Sequence, residues 1–211
     1  MGPRTLEAPP RTPDLPTRGG FPGGGGGEGF PALPDAAPAS IAVWLLVGSV
    51  TILFAAFTST YLARRGEADW LVGPLPDALY VSTAVLIFSS LVLEWARRRG
   101  GRGRLEALRA GLLAATGLGL VFLAAQIAAW RQLSALGVFL STNPHSSFFY
   151  LLTGAHALHV TGGLLGLGYA LGRARRAATA AIALRSAEPA TTFWHFLDGL
   201  WLYLFIILFA L

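Results

Sequence analysis

The stretch FWHFLDGLW, residues 193–201, sets His195 and Asp198 three positions apart inside an apolar run that continues to Leu211. Upstream, FFYLLTGAHALHVTGG, residues 148–163, sets His156 and His159 at the same spacing in a second apolar segment. A carboxylate near the middle of a membrane helix costs roughly 2.5–3.5 kcal/mol on insertion scales. A chain carries that cost only where the group finds a partner inside a bundle of helices. These two stretches therefore predict a polytopic membrane bundle with its polar groups turned inward.

Outward from these segments the rest of the chain agrees. Apolar stretches run from about Ile41 to Leu62, Ala78 to Ala96, Leu105 to Trp130, Ser147 to Leu171 and Thr191 to Leu211. Each has roughly the 17–25 residues that a spanning helix needs. Backbone polar groups in lipid must be satisfied within their own segment, so helices are expected. Ser40 is a candidate N-cap of the first, after Pro38, and the breaker Gly73-Pro74-Leu75-Pro76 introduces the second. The fold class is all-α, five transmembrane helices over residues 40–211. Residues 1–39 differ in kind: eighteen are Gly or Pro, with Gly23 to Gly27 in one run and no apolar period. Such a segment cannot bury enough surface to offset its ordering entropy, and a disordered tail is expected. It has no apolar core of a secretory signal.

Composition excludes several functions. The 211 residues are 54% hydrophobic and 13% charged, with mean hydropathy +0.56. A soluble domain would carry about a quarter charged residues. The lack of cysteine removes disulfides, thiolate metal sites and cysteine nucleophiles. All sixteen basic residues are Arg, clustered between the apolar segments, which marks a lipid surface and not a nucleic-acid site. Thirteen of them fall on one side of a five-span topology, in the tail and the second and fourth connections. Only Arg64, Arg65 and Arg131 fall on the other. The rule that positive loops stay inside predicts a cytoplasmic N-terminus and an external C-terminus in a cell membrane.

The polar residues within the spans are the candidate site. Thr153, His156, His159, Gly163 and Gly166 recur at three- and four-residue steps and share a helical face, and Gly162 with Gly166 forms a close-approach pair. They fit a packing seam with two hydrogen-bonding histidines; imidazole is also a common metal and haem ligand. His145 is assigned to a connecting loop. His195 and Asp198 fit either a pair fixing a helix interface or a proton relay. Trp194, Trp201 and Tyr203 read as membrane aromatics, Trp194 as an interfacial anchor near its segment's start. Gly119, Phe122 and Gln126 share a face, with Gln126 hydrogen-bonding across helices. Glu94 reads as an interfacial residue pairing with Arg97 or Arg98. There is no phosphate-cradling glycine loop, GxSxG or HExxH.

These residues resemble subunit III of the cytochrome c oxidases, in the haem–copper oxidase superfamily. Phe148, Phe149, Thr153, Gly154, His156, His159 and Val160 match one signature, and Trp194-His195-Phe196, Asp198 and Trp201 match another. Ser89-Ser90, Gln126 with Trp130, and the stretch from Phe54 to Ser59 with Arg64-Arg65 also fit. The likeness covers about residues 40–211 and is closest to the short, five-helix bacterial form. Two positions depart: Val50 and Ala129 stand where many members carry glutamate.

The resemblance implies an accessory subunit without haem, copper or catalytic residues of its own. Such a subunit packs against oxidase subunit I, with subunit II in the same complex. It holds structural phospholipid and supports proton uptake and active-site durability during oxygen reduction. It implies intramembrane packing, lipid or subunit I contacts for Thr153, His156, His159, Gly163, Gln126, Trp194, His195, Asp198 and Trp201. Quinol oxidase and nitric oxide reductase complexes have similar subunits, and the electron donor is handled by other chains. The alternative from another class is a haem-binding electron carrier, with His195 and either His156 or His159 as axial ligands. A small transporter would show internal repeats and broken helices, and neither is seen.

Overall fold

In a computed structural model the described residues are Gly2, 38–70 and 76–210. The chain divides into two units, Met1–Asp35 and Ala36–Leu211. Apart from Gly2 the first unit lies outside the described residues, and so does the disorder expected there. The second unit contains five helices and, among the described residues, no strand: α1 Pro38–Arg64, α2 Ala78–Gly101, α3 Leu105–Ala135, α4 Pro144–Arg176 and α5 Ala180–Ala210. All five are long and apolar enough to cross a membrane.

Four of the helices carry one repeated stripe. The buried residues of α2 include Leu79, Ser82, Leu86, Ser89, Leu93, Ala96 and Gly100, at alternating steps of three and four. Leu108, Leu112, Ala115, Gly119, Phe122, Gln126, Ala129 and Leu133 do the same in α3. A repeat of 3.5 residues keeps one face on a neighbour and favours shallow crossing angles. Accordingly α2, α3, α4 and α5 pack in a closed ring, each against the next, and α5 returns to α2. Lipid tails are as apolar as leucine, so small residues at the seams matter more than apolar character. At Gly111 a Cβ would collide with the Cβ of Ala96, and α2 and α3 meet there. The Arg102-Gly103-Arg104 turn that joins them needs glycine at its centre, where φ is +80°.

α1 stands apart. It touches α4 and α5 and, among the described residues, neither α2 nor α3. Its buried face is the stripe Val50, Phe54, Thr58 and Tyr61.

Several boundaries differ from expectation. α1 begins at Pro38, not after a Ser40 cap, because proline is tolerated where the first N–H groups have no intrahelical partner. α4 begins at Pro144 under a capping box in which Asn143 accepts from the Ser146 amide (2.8 Å), so His145 belongs to the first turn and not to a loop. It is buried there against Tyr61 and Trp70. α5 begins eleven residues before Thr191 and passes through Pro189. Arg185, Glu188 and Pro189 read as connection, but Ala183 and Ala187 are buried in the core and hold this extension helical.

Candidate functional site

The polar interior is organised by α2. Ser82 and Thr83 both donate to the carbonyl of Leu79 (2.9 and 2.7 Å), and Ser89 donates to that of Leu86 (2.8 Å). A helical hydroxyl that spends its proton on its own backbone keeps lone pairs for donors from other helices. Those donors arrive in two storeys. Trp201 Nε1 reaches Thr83 (2.9 Å) and Gln126 Nε2 reaches Ser82 (3.1 Å). One heptad on, Trp194 Nε1 reaches Ser89 (3.0 Å), and Ser90 lies 2.9 Å from Nδ1 of His195. On the far side of the ring Trp130 Nε1 donates to Thr153 (3.1 Å), which donates to Phe149 O (2.7 Å).

Trp194 is thus a core residue, 1% exposed, and not an interfacial anchor. The early start of α5 puts about four helical turns between Trp194 and the helix end. Its ring lies over Gly119 and Gly163, where added Cβ atoms would come within 2.5 and 3.2 Å of it. The expected pair Gly162 and Gly166 plays a smaller part: nothing lies within 4 Å of a Cβ at Gly162, and only Ala190 (3.6 Å) near one at Gly166.

The three intramembrane histidines have different surroundings. His156 is fully buried, its ring tilted against Trp201 (centroids 5.0 Å apart) and edge-on to Phe122 (6.0 Å), with neither nitrogen hydrogen-bonded among the described residues. That enclosure leaves no room for a haem face. His159 turns to α1, edge-on to Phe54 (5.7 Å), with Nδ1 2.7 Å from the carbonyl of Ala155. His195 meets α2: beyond Ser90, its Nε2 lies 4.0 Å from Glu94. No ring nitrogen of His195 comes within 4.0 Å of the Asp198 carboxylate, so the expected pair does not form. The carboxylate that reaches His195 is Glu94, which also binds Arg97 and Arg98 (2.7 Å each), as expected of it. Asp198 is buried, and its Oδ1 has no partner among the described residues.

Of the nine residues for which the resemblance implies packing, lipid or subunit I contacts, only His159 and His195 keep a partly exposed edge. Val50 and Ala129, the two departures, lie in the apolar core. No three His, Asp or Glu side chains converge as a ligand set among the described residues. An apolar cavity of about 510 Å³ opens between α1, α4 and α5, lined by Val43, Leu46, His159, Gly162, Gly166 and Phe193 among others.

In the sequence Arg109 is only one of the thirteen arginines on one side of the five-span topology. From α3 it donates to the carbonyls of Ala174 (3.0 Å), Arg175 (3.1 Å) and Ala177 (3.2 Å), capping the end of α4. No spacing rule reveals it, because its partners lie 65 or more residues away.

The family described as cytochrome c oxidase subunit III matches residues 71–211. The chain belongs to that family. Similar relatives include a probable cytochrome c oxidase subunit 3 of Mycobacterium tuberculosis, 30% identical over 181 residues, covering 83% of this chain and 88% of the relative. Cytochrome c oxidase subunit 3 of Alkalihalophilus pseudofirmus is 29% identical over 197 residues (87% and 94%). That of Synechocystis is 31% identical over 177 (80% and 73%). A subunit III is a multi-pass membrane protein of an oxidase complex, and the five spans agree. The matched region holds all of α2 to α5, and so the whole hydroxyl-and-indole network.

Proposed function

We propose that this chain is the accessory subunit of an aerobic haem–copper oxidase, packed on the catalytic subunit I beside subunit II. In this reading it contributes no metal and no catalytic residue. It holds phospholipid, supports proton uptake and prolongs the working life of the active site. The observation that carries the reading is the employment of the signature residues. Trp194, Trp201, Gln126 and Thr153 are consumed in hydrogen bonds between helices of this chain, which suits a scaffold. The apolar cavity beside His159 suits an acyl chain. The Arg-rich ends of the helices suit a cytoplasmic N-terminus.

The test compares oxidase assembled with and without this chain. The expected result is similar initial oxygen consumption but faster loss of activity over repeated turnovers when the chain is missing. Equal persistence of activity in the two preparations contradicts the proposal.

A further inference from the structure

Within the bundle, five buried side-chain atoms have no hydrogen-bond partner among the described residues, and three of them belong to one storey. They are Oε1 of Gln126 and both ring nitrogens of His156, on side chains 1% and 0% exposed. Phe122, one turn before Gln126 on α3, stands edge-on to the imidazole. Trp130, one turn after Gln126, donates to Thr153, one turn from His156 on α4. On α2 the Gln126 amide ends at Ser82. The next residue, Thr83, takes the indole N–H of Trp201, whose ring lies against His156. These contacts hold the amide and the imidazole at one level of the bundle.

The two groups do not satisfy each other. Ser82 donates its own proton to the carbonyl of Leu79, so it accepts from the NH2 group of Gln126 and fixes which end of the amide faces it. The amide oxygen is left free, and it forms no hydrogen bond with His156. A neutral imidazole carries one N–H donor and one bare nitrogen, whichever tautomer it adopts. The rings packed on it, Phe122 and Trp201, offer that N–H no acceptor, and the one donor of Trp201 goes to Thr83. A buried donor and a buried acceptor without partners each keep the full cost of leaving water.

We propose that a single buried water molecule binds between Gln126 of α3 and His156 of α4, completing the storey that Ser82, Thr83 and Trp201 begin. It accepts from the imidazole N–H and donates to Oε1 of Gln126, which leaves only the bare ring nitrogen without a partner. Thr153 takes one donor from Trp130 and keeps a second lone pair for the other hydrogen of the water. A buried water needs two to four polar partners of this kind. Ala129, one turn on from Gln126 along the same buried stripe, sets only a methyl group beside the amide. The water ties α4 to the seam between α2 and α3, and it gives His156 a structural employment in place of a ligand's.

The first test is an experimental density map of the full chain, alone in lipid nanodiscs or within its complex, at a resolution that shows ordered water. The expected result is a peak within hydrogen-bond distance of both Oε1 of Gln126 and one nitrogen of His156. A dry gap between the two side chains overturns the site, and so does direct contact of the amide oxygen with the imidazole. The second test is a double-mutant cycle in mixed micelles with Gln126→Met and His156→Phe. Each single change strands the group that the water served on the other helix, whereas the double change removes both. The double variant is therefore expected to shift the unfolding equilibrium about fivefold less than the product of the two single shifts. Losses to Ser82, Phe122 and Trp201 cancel in the cycle. Shifts that simply multiply overturn the bridge. The map of the unaltered chain decides by itself where a variant does not fold.

Discussion

At the scale of residues, the pairings that matter run between hydroxyls and indoles. Trp201 donates to Thr83 and packs on His156 and Phe122, so Trp201→Phe loses a hydrogen bond worth about 0.6 kcal/mol in membranes together with buried ring contacts, and a total cost of roughly 1–4 kcal/mol is expected. Unfolding of the purified chain in mixed micelles measures it. Ser90→Ala takes away the partner of His195 Nδ1 and should destabilise more than Asp198→Asn. If Asp198 is structural, Asp198→Asn assembles and turns over at close to the normal rate; normal assembly with abolished initial turnover would make Asp198 a proton carrier. The sequence made the inward-facing polar residues visible, because lipid forbids them elsewhere. Their partners were less visible. Asp198 shares a helical face with His195, but the imidazole turns across the seam to Ser90 and Glu94. Spacing along one helix says nothing of a closer group on the next. The repeat that would have found the network is the hydroxyl pair Ser82-Thr83 and Ser89-Ser90, in step with Trp194 and Trp201.

Elements were legible as apolar runs, and their ends were not. Hydropathy falls where a helix leaves the lipid, but the helix continues as long as its backbone bonds and neighbours allow. Thus α5 keeps Arg185, Glu188 and Pro189, and α4 reaches back to a cap at Asn143. The sequence suggests close approach at Gly162 and Gly166, whereas the glycine with least room between α2 and α3 is Gly111, which has no partner motif. Gly111→Leu is expected to destabilise by about 1–3 kcal/mol through overpacking against Ala96. Gly162→Ala, with open space around it, should stay within about 0.5 kcal/mol. Melting in detergent gives the ranking, and the reverse order would contradict the seam described here. Arg109→Ala strips three carbonyls at the end of α4 of a charged donor and should cost roughly 1.5–3 kcal/mol. An unchanged melt would show that water replaces the guanidinium without loss.

At the largest scale, the unit Ala36–Leu211 is a four-helix ring with α1 against α4 and α5. The bilayer is its solvent, and five spans followed from composition and length alone. The Arg distribution predicts a cytoplasmic N-terminus and an external C-terminus. A reporter fused after Leu211 should be active only outside the cytoplasm, and activity only within would reverse the topology. Signature residues in both C-terminal spans pointed to the family, and the match over residues 71–211 agrees. The central claim is that this scaffold serves an oxidase whose metals lie in other chains. Its most direct test is to purify the chain from native membranes in mild detergent and assay iron and copper before and after dissociation. The account predicts a co-purifying haem- and copper-containing partner, with both metals leaving alongside that partner. Stoichiometric iron or copper remaining on the isolated chain, or purification without any haem protein, would contradict it.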